Sequence, residues 1–170
     1  MTEKKGRGRP KGAPNKPLME IDTKRNTLLN NADVVEILSQ ANLVAPENET
    51  HAVNGLMVFG KKNGAIKPIL QWVFSSKINS TLPEGKTPYK SNDAPATDLA
   101  ETSLRFEHRL FKYFVTEQIP MTKREAMWIG MLEGIPTREA ELMDLVKDGK
   151  WPFKNITGEI AKKAFSDINI

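Results

Sequence analysis

The chain has 170 residues, 39% of them apolar and 27% charged, with a net charge of +4 and no cysteine. That length suits one domain with an appendage and buries enough surface to fold without covalent staples. The missing cysteines exclude a disulfide framework, a cysteine zinc site and a thiol nucleophile, and no apolar run approaches the roughly 20 residues that span a bilayer.

The charge is concentrated at the start. Residues 1–17, "MTEKKGRGRPKGAPNKP", hold six basic side chains (Lys4, Lys5, Arg7, Arg9, Lys11, Lys16) and one acid, Glu3, for +5; the rest of the chain holds nineteen basic and twenty acidic residues, for −1. A basic arm on a near-neutral body suits a polyanionic partner. With three Gly, three Pro and almost no apolar side chain, the arm buries too little to offset its ordering entropy, and disorder is expected. It lacks the apolar stretch of a secretory signal. Residues 18–32 are transitional, with Leu18, Met19, Ile21, Leu28 and Leu29 available to dock on the body.

From Asp33 to residue 170 the pattern is that of a mostly α, compact, irregular helical domain of five to six helices. Asp33 and Glu36 have the spacing of a capping box, with Val34, Ile37, Leu38 and Ala41 on one helical face. Residues 45–63 are polar apart from "GLMVFG", and that insert is open between a strand and a packed loop. "NGAIKPILQWVFSSKI" predicts a helix with Pro68 in or near its first turn. "LPEGKTPYKSNDAPAT" (82–97) is too proline-rich for a helix and predicts an extended, ordered loop.

The strongest helical pattern covers about 97–117. Leu99, Ser103, Phe106, Leu110 and Phe114 form its apolar face, which Leu104, Phe111 and Val115 widen. Pro120 ends it. Thr122 and Glu125 repeat the capping-box spacing. The next helix starts at Thr137 and stops at Gly149, and Thr157 opens a last short one. Trp72, Phe74, Trp128 and Phe165 fall on predicted apolar faces, where core packing is their default role. Trp151 and Phe153, beside Pro152, are expected to be more exposed, as loop anchors or partner contacts.

Little in the body points to catalysis. "EGKT" (84–87) resembles the end of a nucleotide loop, but Ser80 stands where the first glycine should be and Pro88 follows where a helix should start. His51 and His108 are the two histidines. Neither has a ligand partner at metal spacing, and His108 is expected on the exposed side of its helix beside Arg105 and Arg109. The pairs Glu139/Glu141 and Asp144/Asp148 read as solvated helix faces. The expectation is a non-enzymatic protein without cofactor or metal.

The arm is more pointed. Arg7-Gly8-Arg9-Pro10 resembles the core of an AT-hook, which lies extended in the minor groove. Glycine leaves room for the groove floor, two arginines lie along the groove, and proline keeps the chain extended. Narrow A·T-rich grooves concentrate negative potential and favour inserted arginine. Lys4, Lys5, Lys11 and Lys16 would then meet phosphates. The motif occurs in one copy, and Gly6 stands where many hooks have proline. Arms of the "GRPKG…NK" kind also open many phage and plasmid proteins that handle DNA, including some small terminase subunits.

The "LPEGKTPYKSNDAP" loop, "DLAETSLRFEHRLFKYFV" and the ending "AELMDLVKDGKWPFKNITGEIAKKAF" carry a second resemblance, over about 64–168. The chain is similar there to a family of uncharacterised proteins from large T-even-like tailed phages, including cyanophages. Matching stretches are 82–89, 99–114 and 146–165. The resemblance implies a phage origin and a small helical fold, and no activity. Together these readings give a phage DNA-binding protein in the cytoplasm of the infected host cell, with virion association left open. Its partner is A·T-rich double-stranded DNA, its role modulation of transcription or genome organisation, and no membrane is involved. The alternative is a protein–protein adaptor, a host-takeover or virion-assembly factor whose body binds a phage or host protein.

Overall fold

The computed structural model describes residues 33–92 and 100–170. The arm (1–17), the transitional segment (18–32), Leu99 and the last part of the 82–97 loop lie outside the described residues. Regular structure among those described is helical throughout. In chain order it runs α1 (Val34–Val44), α2 (Glu49–Lys62), α3 (Ile66–Phe74), α4 (Leu104–Glu107), a 3-10 turn (His108–Leu110), α5 (Phe111–Phe114), α6 (Met121–Gly134), α7 (Thr137–Lys147) and α8 (Gly158–Ala164).

Helix α1 starts where the sequence predicts. Asp33 Oδ1 accepts from the Glu36 amide at 2.7 Å, satisfying a donor that the helix start leaves open. Glu36 does not reach back to complete a capping box. Its carboxylate instead accepts from Gln40 Nε2 at 3.1 Å. Val34, Ile37, Leu38 and Ala41 are buried as expected. In α3, Pro68 is the third residue, within the first turn, where its missing amide costs nothing. Gly149 takes the left-handed conformation at φ 70°. Its amide donates to Val146 O at 3.0 Å and the Lys150 amide to Leu145 O at 2.9 Å, the paired bonds of a Schellman stop.

The insert "GLMVFG" (55–60) is neither strand nor loop but part of α2. Asn48 caps α2 by accepting from the His51 amide at 3.0 Å, and the helix runs fourteen residues. Only Ala52 and Leu56 are fully buried along it, so its apolar periodicity is weak in the sequence. The strongest predicted helix is also shorter and less regular than expected. Ala100–Ser103 are non-helical, and Ser103 is an extended cap (ψ 163°). The segment 104–114 then passes through an α turn, a 3-10 turn and a second α turn.

The inward-facing residues differ from the predicted face. Leu104, Phe111 and Phe114 are buried, while Phe106 is 60% exposed, against its predicted core position. His108 is half-buried, not exposed. Its Nδ1 lies 3.2 Å from Leu104 O, and its ring lies over Gly64, where a Cβ would come within 3.2 Å of Cε1. The Thr122–Glu125 box is absent too. Helix α6 begins at Met121, and Pro120 O accepts from the amides of Lys123 and Arg124, both at 3.0 Å.

Helix α1 packs on α2, and α2 on α8; α7 touches α1, α3 and α6. At the centre Trp72, Phe111, Phe114 and Trp128 meet edge to face, with centroids of Phe114 and Trp128 5.0 Å apart and of Trp72 and Phe111 5.5 Å apart. Trp151 and Phe153 are drawn inward, contrary to expectation. Phe153 is buried, and Trp151 is held between Phe153 and Phe74, with its Nε1 donating to Ile156 O at 3.1 Å. Trp151 and Phe153 are anchors of the link into α8.

Helix α8 approaches α2 closely at one point. A Cβ on Gly60 would sit 2.5 Å from Cζ of Phe165, whereas Gly55 faces open space. Gly55→Ala should therefore stabilise the fold by about 0.5–1 kcal/mol through helix propensity. Gly60→Ala should destabilise it by about 1–3 kcal/mol through overpacking. Urea unfolding of the two variants checks this, and equal effects would show that Phe165 yields freely.

Candidate functional site

The arm residues Lys4, Lys5, Arg7, Gly8, Arg9, Pro10, Lys11 and Lys16 lie outside the described residues. Among the described residues Arg124 is buried on α6 and donates to Thr116 O at 3.0 Å, and polar groups also converge at two places on α7.

The first is the 82–90 loop. Lys147 is the last residue of α7, and its side chain is 1% exposed. Its ammonium donates to Pro83 O at 2.9 Å, Gly85 O at 2.8 Å and Asp148 Oδ1 at 2.5 Å, so all three protons have acceptors. The Asp148 carboxylate also receives the Gly85 amide, 3.2 Å from each oxygen. One turn earlier, Asp144 accepts from the Thr87 amide (3.2 Å) and hydroxyl (2.5 Å). Trp128 Nε1 donates to the same hydroxyl oxygen at 3.1 Å. Farther on, the Lys90 amide donates to Glu133.

These bonds correct the sequence reading of Asp144 and Asp148 as solvated. Their side chains are 13% and 11% exposed. They also explain "EGKT". The amides of Gly85 and Thr87 point at carboxylates of the same chain, so the loop is filled from within and has no open anion cradle. Burial works to raise the Asp148 carboxyl, but the hydrogen bond and charge of Lys147 outweigh it, with the Gly85 amide and Lys150 adding, and hold it below the usual range. A sequence cue existed. Acids in the last turn of a helix oppose its dipole, so two of them, at Asp144 and Asp148, imply a compensating partner.

The second place is Glu139, in the first turn of α7. Glu141 is exposed as expected, but Glu139 is 1% exposed. One of its oxygens accepts from the amide of Val34, the first residue of α1, at 3.2 Å; the other accepts from the amide of Leu104, the first residue of α4, at 2.8 Å. Three helix starts therefore meet at one carboxylate. Burial pushes its pKa up to about 7, against the pull of the two amides, and Asp33 adds to the rise. No spacing in the sequence marks it, because both partners are distant backbone amides.

A cleft of about 380 Å³ opens beside the loop clamp, between the end of α3, residues 75–84 and the end of α7. Ser75, Asn79, Ser80, Glu84 and Lys150 make its wall polar. Among the described residues, no three His, Asp or Glu side chains are grouped to hold a metal ion, and no helix is long and apolar enough to cross a membrane.

The fold and these sites define a helical domain in which buried Glu139 and Lys147 of α7 lock helix starts and a loop to that helix. The chain belongs to DUF6433, a family of unknown function, whose model matches residues 46–152. No curated protein and no solved structure matches it.

Glu139 makes stability depend on pH with a definite sign. A carboxyl at 4.5 in the unfolded chain and about 7 in the fold binds its proton more tightly when folded. Its contribution is full below pH 4.5 and is lost as pH rises towards 7, by at most about 3 kcal/mol. The fall in unfolding free energy between pH 5 and 8 should be larger in the native chain than in Glu139→Gln, which cannot titrate; parallel profiles would contradict the assignment. Lys147→Met should cost about 1–3 kcal/mol at neutral pH, read from chemical denaturation, because the Pro83 and Gly85 carbonyls lose their donor while Asp148 keeps only the Gly85 amide and Lys150.

Proposed function

We propose that this is a phage-encoded, non-enzymatic DNA-binding protein whose arm, residues 1–17, enters A·T-rich minor grooves and whose helical body carries that arm. One observation carries the reading. The arm holds +5 of charge and the remaining chain −1, and the arm's charge is arranged around Arg7-Gly8-Arg9-Pro10. Composition alone does not require that order. In this reading Arg7 and Arg9 lie in the groove, Gly8 lets the backbone approach its floor, Pro10 sets the exit, and Lys4, Lys5, Lys11 and Lys16 neutralise phosphates. The protein acts in the infected host cell, where a groove-bound body can modulate transcription or organise the genome.

A protein adaptor is the second reading, favoured by Leu43, 70% exposed at the end of α1. Pull-down from infected cells with nuclease present separates the two, since a retained partner without a DNA footprint would favour the adaptor.

The direct test compares the full chain with a variant lacking residues 1–17 on A·T-rich and G·C-rich duplexes across salt. The full chain should prefer A·T-rich DNA, with log K falling against log salt at a slope of roughly −4 to −5 if about four to six phosphates are neutralised. Arg9→Ala should cost about 1–3 kcal/mol. Equal affinities with and without the arm would overturn the proposal.

A further inference from the structure

We propose that the outer face of the 104–114 segment is a second nucleic-acid surface, one that binds single-stranded DNA by stacking a base on Phe106 between Arg105 and Arg109. The inner face of this segment is anchored. Leu104, Phe111 and Phe114 are buried, and the Leu104 amide is held by Glu139. What remains outside is fixed by helical spacing. Arg105, Arg109 and Lys112 stand at intervals of four and three, which places them along one stripe, and all three are exposed. Phe106 and Tyr113 border that stripe.

Two features make the face unlike an ordinary solvated one. No carboxylate among the described residues lies within ion-pairing distance of Arg105, Arg109 or Lys112, although Lys67, Lys147 and Lys163 elsewhere on the body all have such partners. Glu107, the one acid within the segment, receives a hydrogen bond from Thr102 Oγ1 at 2.8 Å. Like charges four residues apart on a helix repel, and a polyanion relieves that repulsion. The second feature is Phe106, 60% exposed, with the Arg105 guanidinium 5.9 Å from its ring centre; Lys112 Nζ lies 4.8 Å from that of Tyr113. An aromatic ring in a cationic setting, open to solvent, is what base stacking requires.

The face continues across the molecule. His108, on the same segment, packs over Gly64, and Lys61 and Lys62 end α2 just before that glycine. Lys61 and Lys62 are thus near the segment in the chain path through Gly64, while Arg105, Arg109 and Lys112 carry the charge of the proposed face. Stacking selects an unpaired base, because a duplex hides its base faces. The choice of DNA over RNA rests on the arm reading above; the surface itself does not.

The test uses the full chain carrying Arg7→Ala and Arg9→Ala, so that the arm does not mask the body. Fluorescence anisotropy of a labelled oligo-dT should report binding that falls roughly five- to hundredfold on Phe106→Ala and is retained by Phe106→Trp. Arg105→Ala with Arg109→Ala should also weaken binding and flatten the salt dependence by about 0.7 per lost phosphate contact. All three positions are exposed, so unchanged unfolding midpoints confirm intact folds. Unchanged affinity in the Phe106→Ala and double-arginine variants would overturn the proposal. So would a loss confined to the arginine variant, which would mean charge without stacking, or tighter binding of oligo-rU than oligo-dT. Loss of duplex binding on removing the arm leaves these outcomes unaffected, so the two proposals fail separately.

Discussion

The architecture turns on the carboxylate of Glu139. A helix start leaves several amides without intrahelical partners and carries partial positive charge. Here the starts of α1 and α4, separated from Glu139 by 105 and 35 residues of chain, donate to a side chain in the first turn of α7. The interaction joins three parts of the sequence that no local pattern connects. It also holds the first residue of the 104–114 segment. With the Leu104 amide held, Leu104, Phe111 and Phe114 turn into the aromatic centre and Arg105, Phe106 and Arg109 are left outside. A buried acid thus anchors the segment whose outer side carries Arg105, Phe106 and Arg109. The cost is a desolvated charge, visible as a carboxyl raised to about 7.

The other end of α7 uses the same chemistry with the charges reversed. Carbonyls accumulate at a helix C-terminus, and acids there are disfavoured. Asp144 and Asp148 are tolerated because Lys147 lies between them and because the 82–90 loop offers amides and a hydroxyl. The loop in turn depends on the helix, since its proline-rich sequence forms no ladder of its own. The cleft between this loop and α3 is therefore bordered by a wall hydrogen-bonded to α7. One helix, α7, fixes helix starts at its N-terminal end and a loop at its C-terminal end.

Local features of the fold were legible in the sequence. Asp33, Thr157 and Gly149 mark element ends because a capping oxygen or a left-handed residue acts within three or four positions. Helix α2 was not legible. It buries only Ala52 and Leu56 fully, and Gly55 and Gly60 dilute its helical signal. The 104–114 segment misled in the opposite sense. Its apolar spacing suggested one long helix, yet the helix begins only at Leu104; with Leu104, Phe111 and Phe114 inward, Phe106, two residues from Leu104, faces out. Glu139, Asp144 and Asp148 were read as solvated because the helix starts and the 82–90 loop that meet them are remote in the chain. The candidate arm could be read only from its residues, and the stripe around Phe106 only from the fold.

Helix α2 has a consequence for where the folding unit ends. The family match spans residues 46–152, but α1 lies before it and α8 after it, and both pack on α2. Val34 and Leu38 from one side and Ile160 and Ala161 from the other are almost wholly buried, each larger side chain contributing about 1.5–3 kcal/mol. A fragment trimmed to the matched span would leave α2 uncovered on two sides and remove the Val34 amide from Glu139. The recognisable sequence signature is therefore smaller than the cooperative structure that carries it. Within this fold, α1 and α8 act as covers for apolar surface of the matched region.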